Sequence, residues 1–313
     1  MSLTLLLTAL AAGAAWLFLR PFQGPGAGRR NARILALGSL LATLLSCGIG
    51  FLTMALNMQS LSGALSVFRG RPAQCSFIGA CLGFCLIFLR EGETRKGAAL
   101  ALCGTVCLMR LAEFSLPPVG LGFVWEGPLS FFPFTVKDEY GDPCLAVFAL
   151  EAIFALTIAL TLLRQSRREG EAGLRWGSAW LLAGQIFWEN LRSATLRVGF
   201  VRVEQVLCAG ILLCLIWFGA KGHGRWRRST LALLLIAGIG LLEFIMDKPY
   251  LLADLLVGSG EMADRLSALL LPLCHALTAL ICIVLARLAA LPASSPREVR
   301  KAADAYRKRR RTE

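Results

Sequence analysis

The sequence predicts an all-α, polytopic membrane protein with about nine transmembrane helices. Of its 313 residues, 56% are hydrophobic, which exceeds the roughly 45–50% of an ordinary soluble domain. The apolar residues form long runs, and a membrane span needs about 20 mostly apolar residues. Basic residues are also rich in every second loop between these runs, as the positive-inside rule requires.

Nine apolar segments are long enough, or nearly so, to be spans, and the sixth is the shortest. They cover residues 2–19, 34–56, 74–89, 97–114, 143–163, 176–190, 200–219, 229–247 and 266–286. We expect each to be a helix, because lipid offers no partner to an unpaired backbone amide. The first run has no basic residue before it and Arg20 directly after it. Because that order is the reverse of a secretory signal peptide, we expect this run to remain as a span.

The distribution of basic residues predicts the orientation. The odd-numbered loops and the C-terminal tail hold 24 of the 33 Lys and Arg residues, and the even-numbered loops hold 7. This bias places the N-terminus outside and the C-terminus in the cytoplasm. The net charge of +13 is therefore explained by topology, and nucleic acid is not an expected partner.

The tail and the cysteines indicate little specific chemistry. Residues 292–313 are strongly basic and would either form a short helix on anionic lipid or stay solvated. Most of the eleven cysteines lie within spans, where cysteine behaves as a small apolar residue. No histidine accompanies them, so neither a metal nor a cofactor is expected. Cys75 and Cys144 should lie near the outer surface, and whether they pair is open.

Polar residues in and beside the spans concentrate at the outer ends. They are Arg110, Glu113, Glu151, Gln185, Glu189, Arg192, Arg202, Glu204, Gln205, Glu243 and Asp247. Charged groups at membrane depth usually face a bundle interior or a wet cavity, so this set predicts a polar cavity open to the outer leaflet. Glu189 and Arg192, three residues apart, can pair on one helix face. Arg197, in a loop, is expected to be solvated.

The long outer loop at 115–142 is rich in proline, glycine and aromatic residues. Aromatic rings settle in the headgroup layer of a membrane. The loop is therefore either a lid over the predicted cavity or an ordered connector, and the sequence leaves both open.

Five short motifs occur in the same order as in a known protein family. They are "SFIGACLG" (76–83), "MRLAEF" (109–114), "GDPCLAVFALE" (141–151), "QIFWENLR" (185–192) and "VEQVLCAG" (203–210). With these motifs, residues 1–220 resemble the bacterial prolipoprotein diacylglyceryl transferases. Those seven-span enzymes move a diacylglyceryl group from phosphatidylglycerol to a cysteine thiol. The last two spans, within 221–291, are additions to that plan.

The resemblance implies a multi-pass protein of the bacterial plasma (inner) membrane, with a phosphatidylglycerol-like phospholipid and a prolipoprotein as partners. By this resemblance, the substrate-binding residues are Arg110, Arg192, Gln205, Ser76 and Gln185. The family's histidine is replaced by Ile78, so a carboxylate would have to act as the base. The candidate catalytic carboxylates are Glu113, Glu151 and Glu189.

Three functions remain after this comparison. The first is a lipid transferase of the diacylglyceryl type, and the second is a non-catalytic lipid- or lipoprotein-binding descendant. The third is a transporter or membrane scaffold. Headgroup binding is favoured over the third function by retention of Arg110, Glu189, Arg192 and Gln205. Loss of the family's histidine, asparagine and tyrosine favours the second function over the first. His223 lies in a predicted cytoplasmic loop, and His275 is expected to be a core residue unless the ninth span packs beside the cavity.

Overall fold

The computed structural model describes ten helices, most of them long. Described are residues 28–70, 76–90, 95–113, 120–125, 127–165, 170–193, 195–199, 201–219, 223–258 and 260–291. The helices are α1 (Gly28–Met58), α2 (Leu61–Gly70), α3 (Phe77–Arg90), α4 (Arg95–Ala112), α5 (Val147–Gln165), α6 (Gly170–Leu191), α7 (Val203–Gly219), α8 (His223–Asp247), α9 (Pro249–Val257) and α10 (Glu261–Ala290). Two antiparallel hairpins join them: β1 (Thr135–Lys137) with β2 (Pro143–Leu145), and β3 (Arg197–Val198) with β4 (Val201–Arg202).

Eight of the nine predicted spans coincide with described helices. The first, residues 2–19, lies outside the described residues, as do the tail 292–313 and Cys75. Within the described ranges, four helical segments are long and apolar enough to cross a membrane: Ala36–Met58, Val147–Arg164, Gly224–Asp247 and Glu261–Ala290. The chain is thus a helical membrane protein, while the count of nine spans and the orientation stay predictions.

The all-α framework also carries two small two-stranded sheets in its loops. Thr135 lies opposite Leu145 in the first hairpin, and residues 120–125 run along the other side of β2. There the Gly122 amide donates to the Leu145 carbonyl at 2.8 Å. The Ser193 amide donates to the Leu121 carbonyl at 3.0 Å, which ties the loop to the end of α6. The described part of the predicted outer loop is therefore an ordered layer over the start of α5.

Helices α1 and α3 approach each other very closely through two glycines of α3. A Cβ atom on Gly83 would lie 2.4 Å from the Ala42 backbone nitrogen, and one on Gly79 would lie 2.9 Å from the Leu45 carbonyl oxygen. Small residues four apart on one helix face allow such backbone contact between membrane helices. Gly79 and Gly83 therefore set the distance between α1 and α3.

The largest hydrophobic core joins the two C-terminal helices to the rest of the bundle. Its buried members include Ile78 of α3, Ile186 of α6 and Leu212 of α7, together with Ile239 of α8 and Leu285 of α10. Because α8 and α10 share this core, both helices are packed into the bundle. This packing brings α8 and α10 next to the polar end of α6.

Arg175 of α6 links the ends of two other helices. Its Nε donates to the Ala289 carbonyl at 2.6 Å and its Nη2 to the Leu215 carbonyl at 2.9 Å. Ala289 lies in the last turn of α10, where carbonyl groups lack partners within the helix. The guanidinium occupies the space beside Gly219, where a Cβ atom would lie 1.4 Å from Nη2. Arg175 therefore caps α10 and holds it against α7.

Replacing Arg175 with Leu is expected to lower the free energy of unfolding by about 1–3 kcal/mol, because charge-assisted hydrogen bonds are lost. Thermal unfolding of the purified protein in detergent would measure this. The matched control is Arg265→Leu, since Arg265 is 77% exposed and its removal should change little. Equal melting temperatures for the two variants would argue against a stabilising role of the Arg175 hydrogen bonds.

Candidate functional site

Five charged side chains that are buried, or nearly so, meet at one end of the bundle. Arg110 lies in the last turn of α4, and Glu113 directly follows that helix. Glu151 lies in α5. Glu189 lies in the last turn of α6, and Arg192 directly follows it. Arg110 and Glu151 are each only 2% exposed. We call this group the ion cluster. The structure thus brings together the three predicted catalytic carboxylates and both predicted phosphate-binding arginines.

Glu151 and Glu113 each contact both arginines. Arg192 Nη2 donates to Glu151 Oε2, and Arg110 Nε lies at ion-pair distance from the same oxygen without the angle of a hydrogen bond. Glu113 accepts from Arg110 Nη1 through Oε1 and from Arg192 Nη2 through Oε2, the latter at 2.9 Å. The four groups form a closed ring that joins α4, α5 and α6.

Glu189 lies at the edge of this ring. Its Oε1 is 4.0 Å from Arg192 Nε, so the pair predicted from their spacing is the longest ion contact in the cluster. The same oxygen accepts a hydrogen bond from Gln185 Nε2 at 2.9 Å. Gln185, predicted to bind substrate, is thus engaged with Glu189. With three carboxylates around two guanidiniums, the cluster has no arginine left free for a phosphate.

Ser76, another predicted substrate-binding residue, caps a helix. Its Oγ accepts a hydrogen bond from the Gly79 amide at 3.0 Å, as an N-cap serine does. Glu204, in the first turn of α7, accepts from the Phe77 amide at 2.9 Å and the Ile78 amide at 3.0 Å. The start of α3 is therefore held by α7. The Ile78 side chain lies in the hydrophobic core, so this position offers no proton acceptor.

Gln205 joins α7 to α6. Its Nε2 donates to the Ile186 carbonyl at 3.0 Å and to Asn190 Oδ1 at 2.7 Å. Asn190 is buried, and sequence reasoning did not select it. The available signal was its position, since it directly follows Glu189 in a span.

A cavity of about 290 Å³ lies beside the ion cluster, and we call it the polar cavity. The end of α6, the loop at Phe123, the β3–β4 hairpin, α8 and α10 surround it. Its lining residues are Phe123, Asn190, Leu191, Arg192, Ser193, Arg197, Arg202, Glu243, Met246, Asp247, Leu271 and His275. Arg192 thus belongs to both the ion cluster and the cavity wall.

Two expectations are corrected by this cavity. Arg197, expected in solvent, is half-buried in its wall, because the chain reverses at Gly199, whose φ is +60°. His275, expected to be a core residue, also lines the cavity, because α10 packs against α6 and α7. Its ring stacks on Phe123 with the centroids 6.1 Å apart.

The cavity wall carries polar atoms without partners. Within the described part of the chain, five atoms there form no hydrogen bond: Asn190 Nδ2, Arg192 Nε, Arg202 Nη1, Glu243 Oε1 and His275 Nδ1. Asn190 and Arg192 are more than nine-tenths buried, where unpaired polar atoms are costly. These five atoms are closed off from the cavity space itself, so an occupant would contact other polar atoms of the same wall.

Arg197 and Arg202 face each other across the β3–β4 hairpin. Like charges directly opposite in an antiparallel pair are unfavourable. Among the described residues, no ion pair within 4.0 Å involves either arginine, Glu243 or Asp247. The two arginines and the two carboxylates thus attract each other across the cavity without direct ion pairs.

Comparisons of the chain with protein-family models, curated proteins and solved structures find no match. The resemblance to prolipoprotein diacylglyceryl transferases stays a prediction from the motifs. The function must therefore be argued from the ion cluster and the polar cavity.

Proposed function

We propose that this protein binds a phospholipid headgroup in the polar cavity. The observation that carries the proposal is the pair Arg197 and Arg202, which line the cavity from opposite strands with no carboxylate at ion-pair distance in the described structure. Guanidinium groups suit phosphate oxygens because they donate two parallel hydrogen bonds. A phosphate between them would also relieve their mutual repulsion.

The surroundings of the cavity favour a lipid as the source of that phosphate. Exposed aromatic residues lie in the layer formed by 120–145, among them Phe131, Phe132 and Tyr140. Exposed leucines, including Leu255 and Leu256, lie on α9, which follows the cavity-lining end of α8. Such residues suit the region where headgroups meet acyl chains. Headgroups of the surrounding membrane would therefore lie close to the polar cavity.

This proposal moves the phosphate contact away from Arg110 and Arg192. Both are already paired with Glu113 and Glu151. Breaking a buried ion pair to bind a ligand would cost several kcal/mol, on the order of 3–5. The ion cluster would instead hold α4, α5 and α6 in place beside the cavity.

Diacylglyceryl transfer is a second candidate, favoured by the imidazole of His275 in the cavity wall. In that reaction an acceptor thiol would form a C–S bond to the glycerol carbon. The C–O bond to the phosphate would break, and the phosphate would leave with the electron pair. The thiol proton would pass to His275 Nδ1. General base catalysis requires this nitrogen to come within hydrogen-bond reach of the thiol.

Phospholipid retained by the purified protein would test headgroup binding. Native mass spectrometry in detergent should detect bound phospholipid, and Arg202→Gln should reduce its affinity about tenfold or more, because hydrogen bonds to a charged group are lost. Arg265→Gln is the control, since this arginine is exposed. Equal retention by the wild type and Arg202→Gln would refute the proposal.

Complementation of a strain depleted of its own diacylglyceryl transferase would separate binding from transfer. Rescue of lipoprotein modification that is lost in His275→Ala would support the second candidate. If a protein shown to be inserted and to bind phospholipid fails to rescue the strain, phospholipid binding without transfer would be the supported function.

A further inference from the structure

The charges of the polar cavity are arranged in two groups of opposite sign. Arg197 and Arg202 lie on the β3–β4 hairpin, whereas Glu243 and Asp247 lie on α8. Glu243 and Asp247 are four residues apart, so they share one helix face. The fifth charged lining residue, Arg192, is already paired within the ion cluster. The remaining lining charges therefore sum to zero, with cations on one wall and anions on another.

A simple anion does not fit this arrangement. It would satisfy Arg197 and Arg202 but would place a further negative charge beside Glu243 and Asp247, where Coulomb interactions are stronger than in water. A zwitterion offers each wall its opposite charge. The absence of direct ion pairs between the walls, within the residues described, leaves space for such a molecule to bridge them.

We infer that the polar cavity selects a phosphoethanolamine headgroup, with its phosphate against Arg197 and Arg202 and its ammonium against Glu243 and Asp247. This inference rests on the proposed function and names the class of lipid. It differs from the phosphatidylglycerol-like partner that the resemblance implies, because a phosphoglycerol headgroup carries no cation for α8.

The carboxylates on α8 favour a primary ammonium over a quaternary one. Glu243 and Asp247 line the cavity with carboxylates, which only accept hydrogen bonds when ionised. A primary ammonium has three N–H donors, whereas a trimethylammonium group has none. The stacked rings of Phe123 and His275 would tolerate either cation, so the two carboxylates on α8 decide between them.

The size of the cavity agrees with a headgroup without its acyl chains. Its volume of about 290 Å³ lies at the lower end of small-molecule sites, which begin near about 300 Å³. The acyl chains would remain among the exposed apolar residues of the bundle. Soluble phosphoethanolamine shares the headgroup chemistry, so an experiment must distinguish the two sources.

Binding by the full-length protein in phosphatidylcholine nanodiscs would test the inference. One set of nanodiscs would contain phosphatidylethanolamine and another the same fraction of phosphatidylglycerol. Native mass spectrometry would measure how much of each lipid the protein binds. The wild type should bind phosphatidylethanolamine about tenfold more tightly than phosphatidylglycerol, as one added charge-assisted interaction would give. Glu243→Gln should lose this preference, because phosphatidylethanolamine binding weakens and phosphatidylglycerol binding strengthens. Arg202→Gln should weaken both.

Glu261→Gln is the matched control, since Glu261 is 81% exposed and lies outside the cavity lining. If Glu243→Gln fails to fold, Asp247→Asn at an exposed position tests the same wall.

Three outcomes are decisive. Phosphatidylglycerol bound as tightly as phosphatidylethanolamine, with both dependent on Arg202, would overturn the inference and leave phospholipid binding intact. Binding that ignores Arg202 would overturn both proposals. Soluble phosphoethanolamine that competes as well as the lipid would support the headgroup chemistry but overturn a lipid as its source.

Discussion

Arg192→Leu is expected to lower the free energy of unfolding by about 3–5 kcal/mol, because it leaves buried carboxylates without their cation. Arg192 contacts Glu113, Glu151 and Glu189. Its loss would leave Arg110 alone among three acids in a region of low dielectric. Thermal or denaturant unfolding in detergent would measure the change.

Two comparisons sharpen this prediction. Glu151→Gln should cost less than Arg192→Leu, because it leaves two arginines with two carboxylates. Arg265→Leu removes the cation from an exposed pair with Glu261, in which the two side chains are 77% and 81% exposed. Such a pair contributes only about 0–1 kcal/mol. A similar loss for Arg192→Leu and Arg265→Leu would contradict a structural role for the ion cluster.

Gly83→Ala is expected to destabilise the protein by about 1–3 kcal/mol or more, because an added methyl group overpacks a tight contact. The new Cβ would lie 2.4 Å from the Ala42 backbone nitrogen and 2.5 Å from its Cα. These are backbone atoms, so α1 must move away from α3 to make room. The melting temperature in detergent is the measurement.

Gly48→Ala in α1 is the matched control and should change stability in the opposite direction. No atom of the described residues lies within 4 Å of a Cβ atom at this position, and Ala is favoured over Gly inside a helix by about 0.5–1 kcal/mol. A fall in melting temperature for both variants would show that the effect at Gly83 is not steric.

The sequence predicted the long helices and the meeting of the ion cluster for the same reason. Lipid forces apolar runs into helices, and it forces charges such as Glu151 and Arg192 toward a protein interior. Since alternating loops put the ends of α4, α5 and α6 on one side, these charges were expected near each other. The roles of the cluster residues in binding or catalysis stay predictions.

The polar cavity was harder to predict, because it depends on packing between distant segments. His275 reaches it only because α10 lies against α6 and α7, and hydrophobic periodicity does not specify neighbouring helices. Arg197 reaches it because two very short strands reverse at Gly199. Short elements such as α2, α9 and both hairpins carry too few residues for a clear pattern.

The motifs also identified polar residues without predicting which groups those residues contact. Ser76 and Gln205 were selected as substrate ligands, and the structure shows the first capping α3 and the second joining α7 to α6. A motif locates a polar residue in a membrane chain, but its hydrogen-bond partners come from other helices.

The placement of α8 and α10 in the cavity wall has a consequence for biosynthesis. A ribosome delivers the chain from its N-terminus, and earlier segments fold first. The ion cluster is complete once residue 192 has been inserted, whereas the cavity needs Glu243 and His275 as well. A nascent chain would therefore form the ion cluster before it forms the polar cavity. It could bind a headgroup only after α10, its last described helix, has entered the membrane.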